Sequence, residues 1–81
     1  MPIVFVFRGI KFFFFSNEGS PREPIHIHVR KGSKLAKFWI EPVISLAESW
    51  DFSSKELNQI ARIVRARKAE IVEAWNEHFE S

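Results

Sequence analysis

The strictest pattern in this sequence is the alternation of apolar and polar residues over positions 25–30, which read Ile-His-Ile-His-Val-Arg. Successive side chains of a β-strand point to opposite faces of the sheet, so strict alternation predicts a half-buried strand. The three aliphatic side chains are expected to face a core. His26, His28 and Arg30 are expected to share the opposite face, and that face is the first place to look for function.

A hairpin turn is predicted directly after this strand, because Gly32 takes the first central position of residues 31–34, as a type II′ turn requires. Closing the hairpin there pairs apolar residues on one face: Val29 with Ala36, Ile27 with Phe38, and Ile25 with Ile40. On the other face it pairs Arg30 with Leu35, His28 with Lys37, and His26 with Trp39. Pro42 ends the second strand, and residues 43–46 are expected to form a short edge strand.

An earlier hairpin is predicted from strands at residues 3–7 and 10–16, joined by Arg8 and Gly9. Its expected pairs are Phe5 with Phe12 and Ile3 with Phe14 on one face, and Val4 with Phe13 and Val6 with Lys11 on the other. Both faces are largely apolar, so a helix is expected to cover one and a second element, such as a partner chain, the other. Residues 17–24 are typical of a turn-rich loop.

The chain changes character near Asp51, from aromatic and β-branched residues to a run rich in Ala, Glu, Arg and Lys without Gly or Pro. Ser53 and Glu56 have the spacing of a capping box. A single helix over residues 54–80, about 40 Å long, is favoured over two helices that separate at residues 65–68. A β-rich part (1–50) followed by a helical part (51–81) predicts an α+β domain. We expect an antiparallel sheet of four or five strands, with the helix or helix pair packed on one face.

Composition sets the outer limits of function. The chain has 81 residues, nine Phe, three Trp and no Cys, which fits one domain over 1–81 without disulfides or a zinc ribbon. Its longest apolar run is far shorter than the roughly 20 residues of a membrane span, and no signal-peptide pattern is apparent. A cytoplasmic protein without membrane contact is therefore expected. The net charge of +2 is small for a nucleic-acid-binding protein, although basic residues cluster within positions 22–37.

Several stretches of the sequence together resemble one family: residues 11–18, 22–29, 36–43, 52–53 with 56–57, and 73–79. They are similar to the DUF4160 family of small bacterial domains of unknown function, whose hallmark is a Pro-(Pro)-His-x-His-Val strand. Here Ile25 replaces the second Pro. The resemblance covers nearly the whole chain. It implies a stand-alone domain, often a neighbour of another small uncharacterised protein, and hence a regulatory or interaction module such as one component of a toxin–antitoxin-like pair. It implies no catalytic residues.

Side chains two residues apart on a strand lie about 6–7 Å from each other, so His26 and His28 are close enough to act together. Three roles for the pair are considered. In the first, which is favoured, they are structural or interaction residues, with His26 packed across the hairpin against Trp39. In the second they form an acid–base pair on a phosphodiester, one ring neutral and one protonated. Arg30 and Lys37 would then hold the phosphate, as in a metal-independent ribonuclease.

The third role is metal binding, for which His26 and His28 need at least one more ligand. The candidates are Glu41, on the next strand, and His78, in the helix, but local spacing fixes neither of them. No metal ion or other cofactor is therefore predicted, and any enzymatic activity is expected to be ribonuclease-like.

The candidate binding face consists of His26, His28, Arg30, Lys37 and Trp39. By strand parity it is expected to include further apolar side chains, namely Val4, Phe13, Phe15 and Leu35. Such a mixture is typical of a protein interface, in a homodimer or with a small partner protein. It is also typical of a single-stranded RNA platform, or of a second core layer covered by part of the helix.

The predicted helix carries a basic belt, formed by Arg62, Arg65, Arg67 and Lys68. A run of charges on a helix usually indicates a solvated face. A phosphate group or an acidic partner is the alternative ligand for this belt.

Overall fold

The computed structural model describes residues 2–16 and 23–79, so residues 17–22 of the predicted turn-rich loop lie outside the described part. The described elements are five strands and two helices: β1 (Ile3–Phe7), β2 (Ile10–Phe13), β3 (His26–Lys31), β4 (Lys34–Trp39), β5 (Ser45–Trp50), α1 (Ser54–Ala66) and α2 (Lys68–Phe79). The strands form one antiparallel sheet in chain order. The predicted α+β fold is confirmed, with the sheet first and a helix pair after it.

The β3–β4 hairpin has the predicted register at all three polar pairs, and at the Val29–Ala36 and Ile27–Phe38 pairs. Beyond the ladder, the Ile40 N–H donates to the Ile25 carbonyl at 2.8 Å, which continues the predicted pairing. Gly32 has a φ of 61°. A positive φ at the first central position is the geometry of a type II′ turn, and glycine adopts it without steric cost.

The β1–β2 hairpin differs from the prediction by a β-bulge between Ile3 and Phe5. Phe5 pairs with Phe12 and Val6 with Lys11, as expected, but Ile3 pairs with Phe13 rather than with Phe14. The predicted pairs Ile3–Phe14 and Val4–Phe13 are therefore wrong. Val4 is the extra residue of the bulge. β2 ends at Phe13, and the Phe14 N–H donates to the Pro2 carbonyl at 3.0 Å. The Phe14 ring is buried in the core, where it meets the Trp75 ring at 5.2 Å between centroids.

The fifth strand is longer and begins later than predicted. Residues 41–43 form bends, and β5 extends to Trp50 instead of ending at Leu46. Most of its side chains are exposed, and its pairing with β4 is irregular between Lys37 and Phe38. Because β5 is an edge strand with little buried surface, its sequence lacks the apolar alternation that identifies a strand.

The predicted capping box begins α1. The Glu56 N–H donates to the Ser53 Oγ at 3.1 Å, and the Ser53 N–H donates to the Glu56 carboxylate at 2.9 Å. Lys34, at the start of β4, donates to the other carboxylate oxygen at 2.8 Å. The hydrogen bond from Lys34, supported by the one from the Ser53 backbone, lowers the pKa of Glu56 to about 2. This contact ties the start of the helical layer to the sheet.

The helical region contains two helices, so the preferred prediction of a single helix over 54–80 is wrong. The break lies within residues 65–68, where the alternative prediction of two helices placed it. Arg67 separates α1 from α2 with a φ of −111° and a ψ of 21°. The long axis of the described domain is 35 Å, whereas the predicted straight helix is about 40 Å long. A bend at Arg67 allows both helices to lie over the sheet, and its guanidinium packs on the Phe5 ring at 4.2 Å.

The core lies between the helices and one face of the sheet, which we call the inner face. Its fully buried residues come from both layers: Phe12, Ile27, Val29, Phe38 and Ile40 from the sheet region, and Ile60, Val64, Ile71 and Trp75 from the helices. The helical residues keep nearly the same spacing on either side of Arg67, so both helices present one apolar stripe to the sheet. Neither α1 nor α2 has the length and apolar character that crossing a membrane requires.

Candidate functional site

The sheet face opposite the helices, which we call the outer face, carries two transverse rows of side chains. Directly paired residues on neighbouring strands project to the same face, so the register defines each row. The first row contains Val6, Lys11, Arg30, Leu35 and Trp50. The second row contains Ile3, Phe13, His28, Lys37 and Glu48. The predicted strand parity of His28, Arg30 and Lys37 is therefore observed.

His26 is fully buried, with an exposed fraction of 0%. Its Nδ1 lies 2.9 Å from the Pro24 carbonyl oxygen, and because a carbonyl only accepts, the imidazole donates this hydrogen bond. Its ring meets the rings of His28, Trp39 and Trp75 edge-on, at 5.1 to 5.4 Å between centroids. The expected contact with Trp39 is present, but the contact with Trp75 joins His26 to the helical layer. His26 is a packing residue here, and it is not accessible to a ligand.

His28 lies half-buried within an aromatic cluster on the outer face. Its ring stacks on Phe13 at 5.6 Å between centroids and meets Phe15 edge-on at 4.5 Å. Phe13 is buried beneath this cluster, whereas Phe15 is 44% exposed. Of the two candidate histidines, His28 is the one that reaches the surface.

Lys37 is the least exposed of the predicted cations, with 17% of its side chain accessible. Its ammonium lies 4.4 Å from the centroid of the Trp39 ring and 3.8 Å from a Glu23 carboxylate oxygen. An ammonium over an aromatic face is attracted by the ring quadrupole. Lys37 thus already has partners within the domain, and Trp39 is half-buried beside it.

Arg30 and Lys11 carry the accessible positive charge of the outer face. Both are exposed, and neither forms an ion pair with any residue of the described part of the chain. Val6 and Trp50, in the same row, are 54% and 53% exposed. The row therefore places two cations between large apolar side chains at opposite edges of the sheet.

Sequence analysis missed three residues of this row for different reasons. Trp50 lies beyond the predicted end of the last strand, and only its own β-propensity could have indicated a longer strand. Val6 and Lys11 were predicted to pair, but the register between β2 and β3, which places them beside Arg30, is not local information. Conversely, Val4 was expected on this face, and it is instead the bulge residue, partly buried against the core.

The weak metal candidates do not assemble. Among the described residues, no group of three or more His, Cys, Asp or Glu side chains has a geometry that could hold a metal ion, so His26, His28 and Glu41 do not form such a group. The burial of His26 also removes one of the two imidazoles from the acid–base pair considered for phosphodiester cleavage, since both must reach the substrate.

Comparison with known proteins gives one match. The family model described as a domain of unknown function, DUF4160, matches residues 9–76, which include strands β2 to β5, all of α1 and most of α2. No curated protein matches the chain, and no solved structure matches it either. The resemblance seen in the sequence is confirmed over nearly the whole chain: this protein belongs to the DUF4160 family.

Proposed function

We propose that this domain is a non-catalytic interaction module that binds a small partner protein through its outer face. The observation that carries the proposal is that α1 and α2 form the core with the inner face, while the outer face exposes several large apolar side chains. Those at least 44% exposed on this face are Ile3, Val6, Phe15 and Trp50. Exposed apolar side chains gathered on one surface are typical of binding sites rather than of ordinary protein surface.

The residue types on this face support a protein partner over RNA. A tryptophan and an arginine are the side chains most enriched among residues that dominate binding energy at protein interfaces. Ile3, Val6 and Leu35 are aliphatic, and aliphatic side chains pack against a protein surface but offer no ring on which a nucleobase stacks. Single-stranded RNA is therefore the second candidate, favoured only by the exposed rings of Phe15 and Trp50 near Lys11 and Arg30.

Charge indicates which kind of protein the partner is. Lys11, Arg30 and Lys37 lie on the outer face with a single acidic residue, Glu48, in the two rows. Two copies placed face to face would oppose these cations, whereas an acidic partner complements them. We therefore favour a different, acidic protein over the homodimer. If this acidic partner is a second small protein that acts together with the present domain, the two form a toxin–antitoxin-like pair. The cytoplasmic location stays a prediction from the sequence.

Site-specific photo-crosslinking tests this proposal in the native cells. A photoreactive phenylalanine analogue is placed at position 6, 35 or 50 on the outer face. Matched controls carry it at Val43, which is 66% exposed outside the two rows, and at Ala69 on α2. The proposal predicts that all three outer positions crosslink to the same acidic protein and that the controls do not.

The alternative occupants give distinct results in the same experiment. Crosslinks from the outer positions to a second copy of this chain would establish the homodimer instead. Crosslinks to RNA would establish the nucleic-acid platform. Crosslinks that form only from positions 43 or 69 would place the binding surface elsewhere and refute the proposal.

A further inference from the structure

A cleft separate from the outer face lies between the β1–β2 turn and α1, on the side of the sheet that the helices cover. It has a volume of about 290 Å³, and an adjoining cleft of about 400 Å³ shares Gln59 and Arg62 with it. These volumes are within or near the range of small-molecule sites, which are larger than single-ion sites and smaller than macromolecular grooves. The residues that line the two clefts belong to neither row of the outer face.

The polar lining of the two clefts is entirely cationic or amide. The cations are Arg8, Lys55 and Arg62, and the amides are Asn58 and Gln59. None of the three cations forms an ion pair with a residue in the ranges 2–16 and 23–79. Cations that line a concave surface without an acidic partner favour an anion there, because each raises the local positive potential.

The conformation of Arg8 is a second, independent observation. Arg8 has a φ of 51° and Gly9 a φ of 79°, the geometry of a type I′ turn, whose first position strongly prefers Asn, Asp or Gly. An L-residue with a long side chain in this region costs about 1 kcal/mol or more. The guanidinium of Arg8 lies 5.2 Å from the centroid of the Phe7 ring, and both residues line the cleft. The turn thus presents an arginine at a position where the backbone favours Gly, Asn or Asp.

The floor of the smaller cleft is apolar and is formed by Phe7, Ile10 and Ile63. A fully hydrated inorganic ion gains nothing from such a floor. An anion with an organic part buries apolar surface there while its charge stays at the cationic rim. Arginine forks match the oxygens of a phosphate group, so phosphate is the anion that best suits a cleft lined by two arginines.

We propose that this cleft binds a small phosphate ester. Arg8 and Arg62 contact the phosphate group, with the Gln59 amide beside them. The organic part of the ester lies against the Phe7 ring and its aliphatic neighbours. The helical basic belt then has divided roles, since Arg62 serves the cleft, while Arg67 covers Phe5 and pairs with Glu70 at 3.8 Å.

Titration by two-dimensional ¹H–¹⁵N NMR at low ionic strength tests this site, with adenosine monophosphate as the probe. Inorganic phosphate and adenosine serve as the two partial ligands. We expect saturable shifts at Arg8, Gln59 and Arg62, and tighter binding of the monophosphate than of either partial ligand. In Arg62→Gln its affinity is expected to fall about tenfold or more, because charge-assisted hydrogen bonds are lost. Arg65→Gln, one helical turn away, makes the same charge change outside both clefts and is expected to bind normally.

A second variant distinguishes the loss of a ligand contact from a loss of folding stability. Arg8→Gly should weaken monophosphate binding while raising the melting temperature, because glycine relieves the strained turn. Three results would overturn the proposal: no saturable shifts, equal loss in Arg62→Gln and Arg65→Gln, or tight binding only of a single-stranded oligonucleotide that lacks terminal phosphates. The last result would show that a nucleic-acid strand, and not a small ester, is the ligand.

Discussion

Replacing His26 with alanine is expected to destabilise the domain far more than the same change at His28. The fully buried His26 ring contacts three aromatic rings and donates a hydrogen bond to Pro24. Truncating a buried aromatic ring to alanine costs about 3–5 kcal/mol. Imidazole is smaller than benzene, but the variant also leaves a carbonyl without its donor, so we expect about 3 kcal/mol. The His28 ring also contacts three aromatic rings, but it is only half-buried, so we expect its truncation to cost about 1 kcal/mol.

Urea unfolding followed by tryptophan fluorescence measures both values. Trp39 and Trp75 contact His26 directly, so the signal reports on this region. With a denaturant dependence of about 1–1.5 kcal/mol per molar urea, His26→Ala is expected to lower the midpoint by about 2–3 M, and His28→Ala by less than about 1 M. A loss below about 1 kcal/mol for His26→Ala, or equal losses for both variants, would refute the assignment of His26 as a packing residue.

Two further changes test the connection between the sheet and the helices. Ser53→Ala removes the N-cap of α1 and is expected to cost about 1 kcal/mol in chemical denaturation, whereas the exposed Ser54→Ala should change stability by less than about 0.5 kcal/mol. Since folding lowers the pKa of Glu56 from 4.5 to about 2, its contribution to stability is complete above pH 4.5 and disappears as the pH falls toward 2. The stability difference between the wild type and Glu56→Gln, measured across that interval, should shrink with acidification, and a constant difference would contradict the Lys34–Glu56 contact.

The parts of the fold that could be predicted depend on local chemistry. Residues 25–30 alternate strictly, and Gly32 fixes where the chain turns, so the register of the β3–β4 hairpin follows from the sequence alone. The start of α1 was equally predictable, because Ser53 and Glu56 satisfy each other's backbone groups within four residues.

The parts that could not be predicted depend on contacts between distant segments. The bulge at Val4 shifts the register beside Phe14, whose ring packs against Trp75 on α2, and the sequence near Val4 gives no signal of that distant contact. The bend at Arg67 accompanies the packing of its guanidinium on the Phe5 ring of β1, a contact between residues far apart in the chain. The burial of His26 likewise depends on Trp75, since the strand pattern alone places His26 and His28 in equivalent positions.

The candidate site was predicted in part for the same reason. Parity along one strand correctly grouped His28 with Arg30, and the hairpin added Lys37. The extension of this face to Lys11, Val6 and Trp50 requires the registers of β2 with β3 and of β4 with β5. These registers depend on packing on the inner face, and no motif in the sequence predicts them.

The affinity of the crosslinked partner, once purified, for single variants of this domain tests the role of the outer face most directly. Titration calorimetry should show that Trp50→Ser raises Kd about thirtyfold or more, the loss typical of a dominant interface tryptophan. Val43→Ser, which removes an even more exposed apolar side chain outside the two rows, should leave Kd within about twofold of the wild type. An unchanged Kd for Trp50→Ser, or equal weakening by both variants, would contradict binding through this face of the sheet.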